Sequence, residues 1–161
     1  MDAIELLNHQ HDEVDELFEK TGATTTSQGK EHLFIKLADA LAIHTTLEEK
    51  IFYPAVRARR TEEILLESLE EHREIKRTLA DLVEMDPAEA AFDERLQLLK
   101  EEVEAHVAEE KTDLFPKVRK LFEKRQLELL AAQMQELLAE LEGGSPRNRL
   151  RSETQQAAPR R

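Results

Sequence analysis

Four of the six histidines stand in a doubled pattern suited to binding metal ions. His11 is followed 33 residues later by His44, and His72 is followed 34 residues later by His106. His44 opens the string His44-Thr45-Thr46-Leu47-Glu48, and His106 opens His106-Val107-Ala108-Glu109-Glu110, so each half offers one lone histidine and one His-x-x-x-Glu pair. The flanks repeat too: Pro54 and Pro116 lie ten residues beyond the paired histidines, Val56 and Val118 twelve, and Arg57 and Arg119 thirteen. Side chains four apart on a helix share a face, with Cβ atoms about 5–6 Å apart, so one glutamate can span two ions while its histidine binds one of them. His11, His44, Glu48, His72, His106 and Glu110 therefore read as a two-metal site.

The elements that must position these residues are helices. Apolar residues recur at helical spacing in five stretches. The first runs from about Asp2 to Lys20, with His11 in line with Ile4, Leu7, Val14 and Phe18. The second runs from about Lys30 to Arg59, with His44 in line with Leu37, Ala40, Leu47 and Ile51. The third starts near Thr61, a predicted N-cap with Glu62 and Glu63 in its first turn, and runs to about Glu84 with His72 on its stripe. The fourth follows the Asp86-Pro87 turn and runs from about Ala88 to Phe115, with His106 and Glu110 on its stripe. The fifth covers about Lys117 to Glu142. Long amphipathic helices on short links predict an all-α, antiparallel up-down-up-down four-helix bundle over residues 1–122. A C-terminal amphipathic helix over 123–142 is expected to cap the bundle or form a dimer contact. Residues 143–161, opened by Gly143-Gly144-Ser145-Pro146, read as a disordered basic tail.

Composition narrows the function classes. There is no cysteine, which excludes disulfides, thiolate metal sites and a cysteine nucleophile, and fits a cytoplasmic protein. The first residues lack the apolar run of a signal peptide, and no segment approaches the roughly 20 apolar residues of a membrane span. The net charge of −12 is uneven. Residues 143–161 hold five arginines against Glu153, which leaves 18 basic and 34 acidic side chains in residues 1–142. So acidic a body repels nucleic acid and anionic membranes and attracts cations.

Imidazole with carboxylate suits iron, zinc, copper or nickel, whereas magnesium and calcium prefer oxygen throughout. Six protein ligands exceed one tetrahedral zinc and suit two octahedral ions. Four nitrogens, two bridging carboxylates and one solvent bridge fill about ten of twelve positions, leaving two open or one for a further side chain. Iron is the usual occupant of nitrogen-rich paired sites. The ferritin-like plan needs Glu-x-x-His, but Asn8, Leu41, Leu69 and Val103 stand three residues before the four histidines, and none is acidic. Glu49 and Glu109 read as exposed neighbours of the two inward glutamates. His9 and His32 read as solvent-facing.

The strings His11-Asp12-Glu13-Val14-Asp15-Glu16-Leu17-Phe18, His44-x-x-x-Glu48-x-x-x-x-Tyr53-Pro54, Glu71-His72-x-x-Ile75 and His106-x-x-x-Glu110-x-x-x-x-Phe115-Pro116 resemble those of the bacterial hemerythrin-like (HHE cation-binding) domain over roughly residues 2–122. The resemblance implies a four-helix bundle around an oxo- or hydroxo-bridged pair of iron ions. It implies His11, His44, His72 and His106 as terminal ligands and Glu48 and Glu110 as bridging carboxylates. One departure bears on activity: oxygen-carrying members place a second histidine four residues after the third-helix histidine, and Lys76 stands there in this chain. Either two positions stay open, or Tyr53, Glu49 or water enters; Tyr53, the sole tyrosine, is the candidate extra ligand.

The resulting expectation is a cytoplasmic diiron protein reacting with dioxygen, hydrogen peroxide or nitric oxide, with catalase-like disproportionation of peroxide favoured by the missing fifth histidine. The alternative is a non-enzymatic module for oxygen, redox or iron sensing or for iron storage. Either would be a monomer or homodimer without nucleic-acid or membrane partners, and the C-terminal tail is the place to look for a protein partner.

Overall fold

The computed structural model describes residues 1–144, and most of the segment expected to be a basic tail lies outside them. The first helix, α1 (Ala3–Ala23), starts at a reciprocal cap: the Asp2 carboxylate accepts the Glu5 N–H at 2.9 Å, and Glu5 accepts the Asp2 N–H at 3.0 Å. Thr26 caps α2 (Ser27–Leu47) by accepting the Gly29 N–H. A Cβ at Gly29 would lie 2.7 Å from the Thr24 methyl and 2.8 Å from the Thr26 hydroxyl, so a larger residue would push both threonine side chains aside and disturb the cap.

Beyond α2 the chain does not stop but widens into a π-turn (Glu48–Phe52) and continues as the short α3 (Tyr53–Val56). After a loop comes α4 (Glu62–Val83), and then α5 (Ala90–Glu109), which passes through a second π-turn (Glu110–Leu114) into α6 (Phe115–Leu121). Residues 122 and 123 break the chain before α7 (Lys124–Glu142).

Three local expectations change. The fourth helix does not end at Phe115, and the expected start of the fifth at Lys117 falls inside α6. The Phe115 N–H reaches back to the Glu110 carbonyl across the π-turn, so Pro116 falls in the first turn of a new helical segment, where no N–H is needed. Pro54 occupies the same place after the first π-turn. The second helical run ends at Val56 rather than near Arg59. Thr61 makes no cap to α4; its hydroxyl donates to the Val56 carbonyl at 2.8 Å and accepts the Ala58 N–H at 2.9 Å, tying the loop instead.

The helices form the antiparallel bundle expected. Along α1, Leu7 packs with Leu47, whereas Val14 and Phe18 pack with Phe34, Leu37 and Leu41, so the two helices run oppositely. On the other side Leu79 and Leu82 of α4 share a cluster with Phe92, Leu96 and Leu99 near the start of α5. Leu127, Leu130, Met134 and Leu141 of α7 join Ala3, Ile4, Leu7, Phe52 and Val118 in one core, so α7 closes one end of the bundle. Two apolar clusters thus fill the two ends, and the polar layer holding the histidines lies between them. No helix among the described residues is long and apolar enough to cross a membrane.

Asp2 also ties that end together: its fully buried carboxylate is 3.1 Å from Arg119 Nη1 of α6 and 3.0 Å from Lys124 Nζ of α7. Asp2→Ala removes a cap and two charge-assisted bonds at once. A loss of about 1–3 kcal/mol in urea denaturation is expected, and a loss within error would show that α7 is held by apolar contact alone.

Candidate metal centre

Each main helix delivers one imidazole to the middle layer: His11 from α1, His44 from α2, His72 from α4 and His106 from α5, all buried. Glu48 and Glu110 open the two π-turns and are fully buried. Each carboxylate stands between the halves of the repeat. Glu48 Oε1 is 3.3 Å from His44 Nε2 on its own helical run and 2.9 Å from His72 Nε2 on α4. Glu110 Oε2 is 3.5 Å from His106 Nε2, while its Oε1 is 3.1 Å from His11 Nε2. The rings meet in edge-on pairs, His11 with His44 at 4.7 Å between centroids and His72 with His106 at 4.6 Å. All six predicted residues are thus brought together. Within them, potential donor atoms of His11, His44, Glu48 and Glu110 form one close set and those of Glu48, His72 and His106 a second, with Glu48 common to both.

Tyr53 joins the group because of the π-turn. Nine residues beyond His44 in a regular helix, it would lie about 180° round the axis. The π-turn takes up one extra residue and rotates the next helical segment back by about 100°. The Tyr53 hydroxyl consequently donates to Glu110 Oε2 at 2.7 Å and lies 3.2 Å from Glu48 Oε1, 3.3 Å from His72 Nε2 and 3.4 Å from His106 Nε2. In the other half the equivalent residue is Phe115, whose ring lies nearly parallel to His11 at 6.2 Å.

A second layer holds the rings from outside, and the sequence patterns missed it. His44 Nδ1 donates to Gln10 Oε1, His72 Nδ1 to Glu49 Oε2 and His106 Nδ1 to Glu71 Oε1, each at 2.7 Å. Glu49, expected to be exposed, is half-buried and takes Lys76 Nζ at 2.8 Å on its other oxygen. Lys76 therefore faces this second layer and not the four-histidine group. Glu109, also expected to be exposed, is half-buried beside Glu71 and Glu67. His9 and His32 are exposed, as expected.

Fixing the Nδ1 protons outward leaves Nε2 of these rings presenting a lone pair inward. At the centre, His11 Nε2, His44 Nε2, Glu48 Oε2 and Glu110 Oε1 are buried without any hydrogen-bond partner. His11 and Glu110 lie at ion-pair distance but are not aligned for a hydrogen bond. Buried polar atoms left unsatisfied, two of them on carboxylates, are costly unless a cation meets them. The donor set fits a pair of metal ions.

Without an ion the protons take over that role. Burial pushes Glu48 up, but the His44 charge and hydrogen bonds within the cluster outweigh it and hold the carboxyl well below its ordinary range. Burial pushes His106 down, but Glu110, Glu48 and Glu71 together raise it well above its ordinary value, and His72 is raised by Glu48 and Glu49 against the same burial. Burial and the charges of Glu48 and Glu110 raise Tyr53, which keeps its proton. A hydrogen bond with Glu71, then burial and the nearby acids, push Glu109 up to about 8.

The raised histidines stabilise the metal-free chain fully below the unfolded value of 6.5, and that stabilisation disappears as pH rises through their folded values. Metal affinity runs the other way, because ions compete with those protons. The melting temperature of chelator-treated chain should drop by several degrees from about pH 6 to pH 9 while metal affinity climbs. A melting temperature that stays level over that interval would argue against protons standing in for the ion.

Comparison with known proteins agrees with this geometry. The family profile of the hemerythrin HHE cation-binding domain matches residues 2–118. Among curated proteins, the chain is 27% identical over 133 residues to a Nostoc protein named DNA nickase, matching 83% of this chain but spanning only 38% of that relative's length. It is 26% identical over 117 residues to an uncharacterized protein of Mycobacterium tuberculosis, covering 72% of this chain and 71% of the relative. The fold superposes on the crystal structure of a hemerythrin HHE cation-binding domain-containing protein from Mycobacterium kansasii with a TM-score of 0.80 and 25% identity, over 89% of this chain and 88% of that one. A profile match across most of the chain and a buried His/Glu layer within the matched span lead to one conclusion: this chain belongs to the hemerythrin HHE cation-binding domain family.

Proposed function

We propose that the chain holds two iron ions, with His11, His44, His72 and His106 as terminal ligands and Glu48 and Glu110 as bridges. The observation that carries this reading is the convergence of four buried imidazoles, one from each main helix, and two buried carboxylates on one layer, where His11 Nε2, His44 Nε2, Glu48 Oε2 and Glu110 Oε1 have no hydrogen-bond partner and three rings are anchored outward through Nδ1. Nitrogen-rich sites with shared carboxylates favour iron over magnesium or calcium. Tyr53 is the further protein group at the pair, with its oxygen beside His72 and His106, and is the candidate for an added ligand on that side.

Bound at this place, the iron pair supplies two-electron redox chemistry toward dioxygen, hydrogen peroxide or nitric oxide. The activity we favour is catalase-like: two molecules of hydrogen peroxide give two of water and one of dioxygen. The chain contributes exclusion of bulk water, fixed geometry and a held proton. A cavity of about 10 Å³, lined by His11, His44, His106, Leu41, Ile75 and Val103, adjoins the rings and has about the room of one water-sized molecule. Leu47 and Leu79 lie outside this wall and fill the flanking cores. Tyr53 Oη keeps a proton directed at Glu110 Oε2 and lies in hydrogen-bond reach of both glutamates. The acidic body supports a reading without nucleic-acid or anionic-membrane partners, and the absence of cysteine supports a cytoplasmic setting.

Chain purified without chelator should contain about two irons and show the near-ultraviolet absorption of a coupled ferric pair. On adding peroxide, an oxygen electrode should record evolution that falls about tenfold or more in His44→Ala. Equal evolution from the variant would sink the catalase-like reading, and metal-free wild-type chain would sink the diiron reading with it.

A further inference from the structure

The four imidazoles are not held alike. His106 Nδ1 donates to the Glu71 carboxylate, to which no Lys or Arg among the described residues donates a hydrogen bond. His72 Nδ1 donates to the Glu49 carboxylate, part of whose charge is taken by Lys76. His44 Nδ1 donates only to the neutral amide oxygen of Gln10. His11 Nδ1 is buried and has no hydrogen-bond partner. The backing weakens in the order His106, His72, His44, His11, and it divides along the architecture: the α4–α5 pair is backed by carboxylates, the α1–α2 pair is not.

The π-turns add to the imbalance. At matching positions of the two repeats, Tyr53 sets a hydroxyl beside His72 and His106, while Phe115 sets an apolar ring against His11. The shared carboxylates lean the other way, since both join the close set of His11 and His44 and only Glu48 joins that of His72 and His106, so the outer backing has to outweigh them. Glu48 touches His44 as well as His72, and Glu110 offers one oxygen to each half.

We propose that the two ion positions are unequal, with the His72–His106 position filled first and held more tightly, and the His11–His44 position filled second and emptied first. The inference rests on the two-ion reading above. A carboxylate accepting from Nδ1 fixes the ring, fixes its tautomer and makes Nε2 a stronger donor, and loss of such a partner typically costs about 10–100-fold in metal affinity. Two such partners on one side against an amide and nothing on the other are enough to separate the two binding steps. Glu71, Glu49 and Gln10 are positioning residues: they act through the rings and do not reach the ions. The consequence is a chain that is half-loaded when metal is scarce, with the His11–His44 position vacant.

The test uses full-length, metal-stripped chain titrated anaerobically with Fe(II) against a chromophoric chelator, and in parallel with Co(II), whose visible absorption reports each position. Wild type should bind two ions in steps at least about tenfold apart. Glu71→Gln and Glu49→Gln, which keep an acceptor and lose the charge, should weaken the first step about 10–100-fold and leave the second unchanged. Gln10→Glu should tighten the second step, a gain that misfolding cannot mimic. The Co(II) spectrum of the first equivalent should survive His44→Ala and vanish in His106→Ala. Two ions entering in one step of equal affinity, or a first equivalent lost in His44→Ala, overturns the inequality alone. No ion bound by wild type overturns the two-ion reading itself.

Discussion

The structure depends on compensating two carboxylates, Glu48 and Glu110, held with no exposure in the middle of a helical bundle. An ionised carboxyl in such a place is strongly unfavourable by itself. Four imidazoles and a phenol surround the pair, and between them they offer either protons or lone pairs. Protonated rings compensate the charge in one state and metal ions compensate it in the other. The same atoms therefore govern the pH dependence of the metal-free chain and its affinity for ions.

The rest of the bundle keeps that layer dry and aligned. Phe34, Leu37, Leu79, Leu82, Phe92 and Leu99 fill one end, and Leu7, Leu47, Phe52, Val118 and the inner face of α7 fill the other. The π-turns start at the two buried glutamates, and each ends where a proline can be tolerated. Widening the helix there lets a residue nine positions past each paired histidine face inward. That residue is tyrosine in one half and phenylalanine in the other, so a near-symmetric repeat yields a chemically lopsided site.

Much of this is written in the one-dimensional pattern. Each histidine sits on an apolar stripe, and a glutamate four residues later must share its face, so the six central residues follow from helical period alone. The antiparallel arrangement follows from short links. The π-turns do not follow, because the change in winding is visible only as a proline ten residues past each histidine, and proline alone reads as a helix end. This is why the fourth helix was expected to stop at Phe115 and why the regular period puts Tyr53 on the far side. Gln10, Glu49 and Glu71 escaped for a different reason. Each lies beside a stripe rather than on it, and whether such a residue meets a ring on the next helix depends on how the two helices are rotated. Thr61 shows the same limit on a smaller scale, since a residue that looks like a cap serves the preceding loop.

The most direct test is a crystal structure of the chain loaded with iron, with anomalous diffraction collected at the iron edge. The account predicts two anomalous peaks in the middle layer, one beside His72 and His106 and one beside His11 and His44, with Glu48 and Glu110 spanning them. A single peak outside that layer, or rings that stay bonded to one another with no peak between them, would contradict it.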